Sequence, residues 1–189
     1  MSRQILIAAL FAVTLAACEE IASRPNTPPD PAASGQTWLC GREYANQAWG
    51  YQRRGVVLDT AGNIWRYELR GAPQGPANPW SPPDVSVLTE ADLKMRYESA
   101  VTTGAKVPAA EIARHMPLIE DAANATPPQP KSAGADMGQN LLYCYTYDTA
   151  RRTYGQVMLD NKGDWESMNP SPAAKTLAAW LDGRLGEVR

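Results

Sequence analysis

Six strand-like runs in this chain fall into two groups of three, and the second group repeats features of the first. The first group covers 37–44, 51–59 and 63–70; the second covers 141–147, 153–159 and 164–168. Tyr143, Tyr145 and Tyr147 alternate with Leu142, Cys144 and Thr146, the period of two that a half-buried strand shows. Val56-Val57-Leu58 is apolar and β-branched, and Asp59-Thr60-Ala61-Gly62 has the chemistry of a hairpin turn. Val56, Leu58, Asp59 and Gly62 match Val157, Leu159, Asp160 and Gly163 at one constant offset of 101 residues. Trp65 and Trp165 miss that offset by one residue. Two readings stay open: a duplicated unit, or two hairpins alike by chance.

The helical signals lie elsewhere. Thr89-Glu90-Ala91-Asp92 is a capping box that opens a helix to about Ser99. Pro108 suits the first turn of a second helix through about Ala123, with Ile112, Met116 and Ile119 on one face. Pro117 inside it predicts a kink or an early end. Ser171-Pro172 starts a third helix to about Leu185, along which Leu177, Trp180, Leu181 and Leu185 form an apolar stripe. The stretches 71–83 and 124–139 are Gly- and Pro-rich loops. This order predicts an α+β fold: one antiparallel sheet of about six strands, built of two similar hairpin units, with about three helices covering one face.

Residues 1–17 read as a targeting segment to be set aside from the fold. Arg3 is the only charge before Cys18, and an apolar run from Ile5 leads into Leu15-Ala16-Ala17-Cys18. At about 11 residues that run is too short for a bilayer span, which needs roughly 20. Leu15-Ala16-Ala17-Cys18 resembles the lipobox of bacterial lipoproteins, whose cysteine receives a thioether-linked diacylglycerol before cleavage on its amino side. The resemblance covers the first eighteen residues and does not extend to the folded domain. It implies an anchor at Cys18, where two or three acyl chains such as palmitate hold firmly and one would exchange. In Gram-negative lipoproteins an Asp after the cysteine signals inner-membrane retention, so Glu19 points to the outer membrane, facing the periplasm. Residues 18–36 are rich in Pro, Ala, Ser and Asn and form a tether reaching roughly 25 Å if flexible and about 55 Å if fully extended. A single domain, 37–189, follows.

The remaining composition narrows the partners. Beyond residue 17 there are 17 Lys and Arg against 20 Asp and Glu, a formal net charge of −3. So mild a negative balance argues against nucleic acid and against an anionic lipid surface as the main partner. With Cys18 acylated, Cys40 and Cys144 are left, and an exported pair usually forms a disulfide. The alternatives are two buried thiols or a redox pair, although redox pairs sit close in sequence.

Candidates for chemistry are sparse. His115 is the one histidine, so a Ser/His/Asp or Cys/His triad and most zinc sites would need it. It sits mid-helix with no nucleophile motif nearby and reads as an ordinary helix residue. Carboxylate pairs can run glycoside hydrolysis without histidine, and Glu90 with Asp92, Glu120 with Asp121, and Glu43 with Glu68 are available. Asp92, however, suits a helix cap, and Glu120 with Asp121 suits a solvated face. The run Asp160 to Asp164 crowds oxygen ligands but lacks the distal Glu of an EF-hand and reads as a tight turn. No catalytic residue, metal or cofactor is predicted.

The aromatic usage points to binding. Phe11 is the only Phe, so every aromatic beyond residue 17 is Trp or Tyr. Trp49, Tyr51 and Trp80 lie in or beside predicted loops, where they can stack on sugar rings or anchor a protein. Trp38, Trp65, Trp165 and Trp180 are expected to fill the core. Arg53-Arg54 and Arg151-Arg152 can grip carboxylates or phosphates, or serve as solvated charges on edge strands. The function these features favour is non-catalytic binding or scaffolding of an envelope protein. A peptidoglycan- or glycan-binding module is the second reading, and a carboxylate-based hydrolase the third.

Overall fold

The computed structural model describes residues 35–46, 48, 52–70, 87–126 and 128–186. Cys18, Trp49, Tyr51 and Trp80 lie outside the described residues. The elements run β1 (Trp38–Asn46), β2 (Gln52–Asp59), β3 (Asn63–Arg70), β4 (Leu88–Thr89), α1 (Glu90–Arg96), β5 (Val101–Lys106) and α2 (Ala109–Ala123). Then come β6 (Lys131–Ser132), β7 (Gln139–Asp148), β8 (Thr153–Gly163), β9 (Trp165–Met168) and α3 (Pro172–Leu185). The fold is α+β, but its antiparallel sheet has nine strands where about six were expected. The added strands carry no apolar alternation: β4 and β6 have two residues each, and β5 is exposed along its whole length.

The strand order is β5-β3-β2-β1-β7-β8-β9-β6, with β4 beside β8. The inner six strands are two three-stranded meanders placed back to back across the β1–β7 seam. Cys40 and Cys144 sit directly opposite one another on that seam and form a disulfide. The bond therefore joins the first strands of the two meanders. Leu58 pairs with Cys40 and Val157 with Cys144. By this register Leu58 corresponds to Val157, two residues from the Leu159 that the sequence offset matched. A two-residue shift leaves every side chain on its own face, so the pattern match survives it.

Alternation divides the core in two. On one face Cys40, Leu58, Ile64, Cys144, Val157 and Leu159 pack against α2 and α3. Ser171 caps α3 by accepting a hydrogen bond from the Ala174 N–H, and Ala174, Leu177, Leu181 and Leu185 line its buried side. Helix α2 buries Ile112, Ile119 and Ala122. Pro117 does not end it: burial of Ile119 and Ala122 holds the following turn against a proline cost of about 3 kcal/mol. Helix α1 has the expected Thr89–Asp92 capping box but stops at Arg96. It lies on the opposite face, where Leu93 and Tyr97 join Val57, Tyr67, Tyr143, Tyr145 and Tyr154. Helices thus cover both faces, not one.

Candidate functional site

The face under α1 holds the most perturbed chemistry of the described residues. Glu43 on β1 pairs with Gly55 on β2, and Gly55 pairs with Tyr67 on β3. With no side chain at Gly55, Tyr67 reaches across it and donates its hydroxyl proton to the Glu43 carboxylate. A Cβ at Gly55 would lie 2.8 Å from the Tyr67 Oη and collide with the Arg42 carbonyl. Gly41 makes the same room for Tyr143. Gly55→Ala is expected to lose about 1–3 kcal/mol through overpacking, read as a lower urea midpoint; an unchanged midpoint would show that this slot is not needed.

Two arginines close the site around the carboxylate. Arg53 Nε lies 2.9 Å from Glu43 Oε1, and Arg96 of α1 donates from Nη2 to both carboxylate oxygens at 3.3 and 3.2 Å. Arg96 Nη1 donates to Gln156 Oε1 at 3.1 Å, and its guanidinium sits 5.1 Å from the centre of the Tyr143 ring. The hydroxyls of Tyr67, Tyr143, Tyr97 and Tyr145 follow in series at 3.3, 3.0 and 2.7 Å. Because the Tyr67 proton is committed to Glu43, the series is satisfied when each hydroxyl donates towards the carboxylate.

The ionisation follows from burial and charge. Burial pushes the Glu43 carboxyl up, but Arg96, Arg53 and the Tyr67 hydrogen bond outweigh it and hold Glu43 below the usual carboxylate range. Burial raises Tyr67, and the Glu43 charge raises it further. Tyr97 and Tyr145 are raised chiefly by burial. Tyr154 is pushed up to about 12 by burial and by its hydrogen bond to Glu90. A general acid or base needs a pKa near working pH and reach to a substrate. Glu43, fully buried and held ionised, has neither.

These shifts set an alkaline limit on the fold. Tyrosines raised above their ordinary value of 10.0 stabilise the folded state below about pH 10, and that stability is lost as pH rises through their folded values. Tyrosinate absorbance and far-UV circular dichroism should therefore change together in one alkaline transition. All tyrosines ionising near pH 10 with unchanged dichroism would contradict the buried series.

Of the residues singled out in the sequence, Cys40 and Cys144 come together, while the two arginine pairs do not converge. Arg53 is consumed by Glu43. Arg54 lies 4.5 Å from the centre of the Tyr44 ring and donates to Gln52 Oε1. Because β2 is flanked by β1 and β3, neither arginine is the solvated edge charge that the sequence suggested. Arg151 pairs with Asp148 at 2.9 Å in the exposed β7–β8 turn, where Arg152 adopts φ 57°. That turn is at the opposite end of the sheet from Arg53 and Arg54.

The hydrolytic candidates are also spoken for. Glu43 and Glu68 point to opposite faces, since Glu68 follows Tyr67 in β3. Asp92 caps α1, and Glu120 and Asp121 are exposed on α2. His115 stacks on Trp180, ring centres 4.2 Å apart, and donates from Nδ1 to the Glu111 carbonyl. The Glu111 carboxylate accepts from Trp180 and, through both oxygens, from Arg184, so these side chains clasp α2 to α3. Asp59 accepts from the Asn63 N–H and from Trp65 Nε1, and Asp164 accepts from the Met137 and Gly138 N–H groups. Both act as turn anchors.

One surface feature went unnoticed in the sequence. Trp165, expected in the core, is 50% exposed on β9, whose partner β6 is the sheet's short outer edge. Met137 and Met168 are also half exposed; the Met137 N–H donates to Asp164, the residue before Trp165, and Met168 faces the other side of β9 from Trp165. The signal was the shortness of the segment: four-residue β9, with only two-residue β6 beyond it, has little around it to cover its Trp. No protein-family model, curated protein or solved structure matches this chain.

Proposed function

We propose that this protein is an envelope lipoprotein, cut before Cys18 and acylated there, whose domain docks a protein partner without catalysing a reaction. The observation that carries the docking reading is Trp165, half exposed on β9 one strand in from the sheet's edge. Trp and Met are enriched at protein interfaces, and Trp is a frequent binding anchor. The strongly perturbed ionisable groups support the same reading, because they are locked together beneath α1 and not arrayed along a cleft. The anchor rests on the Leu15-Ala16-Ala17-Cys18 resemblance, and Glu19 favours the outer membrane, facing the periplasm.

Crosslinking in intact cells followed by mass spectrometry tests the docking. The wild type is expected to capture one dominant envelope protein that the Met137→Lys, Trp165→Lys variant loses. Capture of no protein, with the domain co-sedimenting with purified cell wall, would replace this reading with the glycan module.

A further inference from the structure

The sheet face that carries α2 and α3 is not covered along its whole length. Past the C-terminal end of α3, Arg42 of β1, Leu142 of β7 and Asp160 of β8 stand side by side in one cross-strand row. Asn140 and Lys162 form the next row on the same face. Asp182 and Gly186 close the space from the helix side, leaving a groove of about 620 Å³. Small-ligand sites commonly enclose about 300–1,000 Å³.

The charges of this groove are arranged in two ion pairs of the same build. Arg42 pairs with Asp182 and also donates from Nη1 to the Gly186 carbonyl at 2.8 Å, and Lys162 pairs with Asp160 at 2.6 Å. In each pair one side chain is sheltered and the other faces water: Arg42 and Asp160 are 20% and 19% exposed, Asp182 and Lys162 60% and 64%. The sheltered cation and the sheltered carboxylate flank the buried Leu142, two strand spacings or about 10 Å apart along the row. Asp182 and Lys162 are the water-facing members of the two pairs, and so the ones whose places a ligand's charged ends would take.

We infer that this groove binds a short zwitterionic peptide, its carboxylate on Arg42, its ammonium on Asp160 and its apolar middle over Leu142. Asn140 stands beside that path with an amide able to meet a peptide group. The inference is independent of the lipid anchor and of the Trp165 edge.

Trialanine titrated into the detergent-solubilised full chain, followed by calorimetry, tests it. Saturable binding is expected, with N-acetyl-trialanine and trialanine amide each about 10-fold weaker, the loss of one charge-assisted contact. Asp160→Asn should weaken trialanine and leave N-acetyl-trialanine unchanged, while Lys162→Gln, which removes the competing cation, should tighten trialanine. Lys162→Gln changes an exposed side chain and so keeps the test open if Asp160→Asn fails to fold. Trp165→Lys should leave this binding as it is, which separates it from protein docking. No saturation by about 10 mM trialanine, equal binding of the capped peptides, or insensitivity to Asp160→Asn and Lys162→Gln would overturn the inference.

Discussion

Glu43→Gln is expected to destabilise the fold by about 3–5 kcal/mol, the cost of leaving buried charge without its counter-charge. Arg53 and Arg96 both pair with this carboxylate, and the tyrosine series ends on it. Against a total stability of about 5–15 kcal/mol for a typical domain, that loss is a large fraction. Arg96→Met in the same chain should cost less than it does alone, because the charge it removes has already lost its partner. Urea unfolding of the two single variants and the double variant reads both quantities. Acid supplies an independent check. Glu43 titrates below 4.5 in the folded state, so its contribution is present above that pH and lost as pH falls through the folded value. Wild type and Glu43→Gln should therefore converge in stability at low pH. A Glu43→Gln penalty under about 1 kcal/mol at neutral pH would mean that the arginines relax to solvent and the network adds little.

The second large effect belongs to the β1–β7 seam. Cys40 and Cys144 are 104 residues apart in sequence, and chain-entropy reasoning gives about 4.7 kcal/mol for closing a loop of that order. Cys40→Ala, Cys144→Ala should lose about 2–5 kcal/mol, with the two meanders still paired through backbone hydrogen bonds. Both sulfurs are buried, so a reductant should act on the folded protein far more slowly than on the unfolded chain. Reduced and unreduced wild type should differ in electrophoretic mobility, and Cys40→Ala should abolish the difference. Equal urea midpoints for wild type and the double variant would show that the seam does not need the bond.

The parts of the fold that sequence revealed are those whose signal is local. The alternation of Tyr143, Tyr145 and Tyr147, the Asp59–Gly62 turn, the Thr89–Asp92 box and the Ser171–Pro172 start each carry their own periodicity or capping chemistry. The adjacency of β1 and β7 was readable through the two cysteines alone. Strand position within the sheet was not readable, because whether a strand is interior or at an edge depends on its neighbours. Arg53 and Arg54 therefore looked like solvated edge charges although β2 is an interior strand. Strand β5 stayed hidden because an exposed Val-Thr-Thr-Gly-Ala-Lys run shows no buried face.

The buried network was missed for a related reason. In the sequence Glu43 was available to pair with Glu68, since sequence does not measure which carboxylates face one another. Its real partners arrive from β2, β3 and α1, between 10 and 53 residues away. Two faint signals were present. Gly41 and Gly55 interrupt strands, and a glycine inside a strand marks a close approach of another group. Glu43 itself stands on the inward-facing register of β1, where only a paired charge is tolerated.

The proposed placement of this domain at a membrane surface rests on Cys18, and the most direct measurement compares the full chain with Cys18→Ser in cells given radiolabelled palmitate. The expected result is label and membrane association for the wild type, with an unlabelled, uncleaved Cys18→Ser precursor. Unchanged processing and unchanged membrane fractionation of Cys18→Ser would contradict the anchor and with it the placement of the domain.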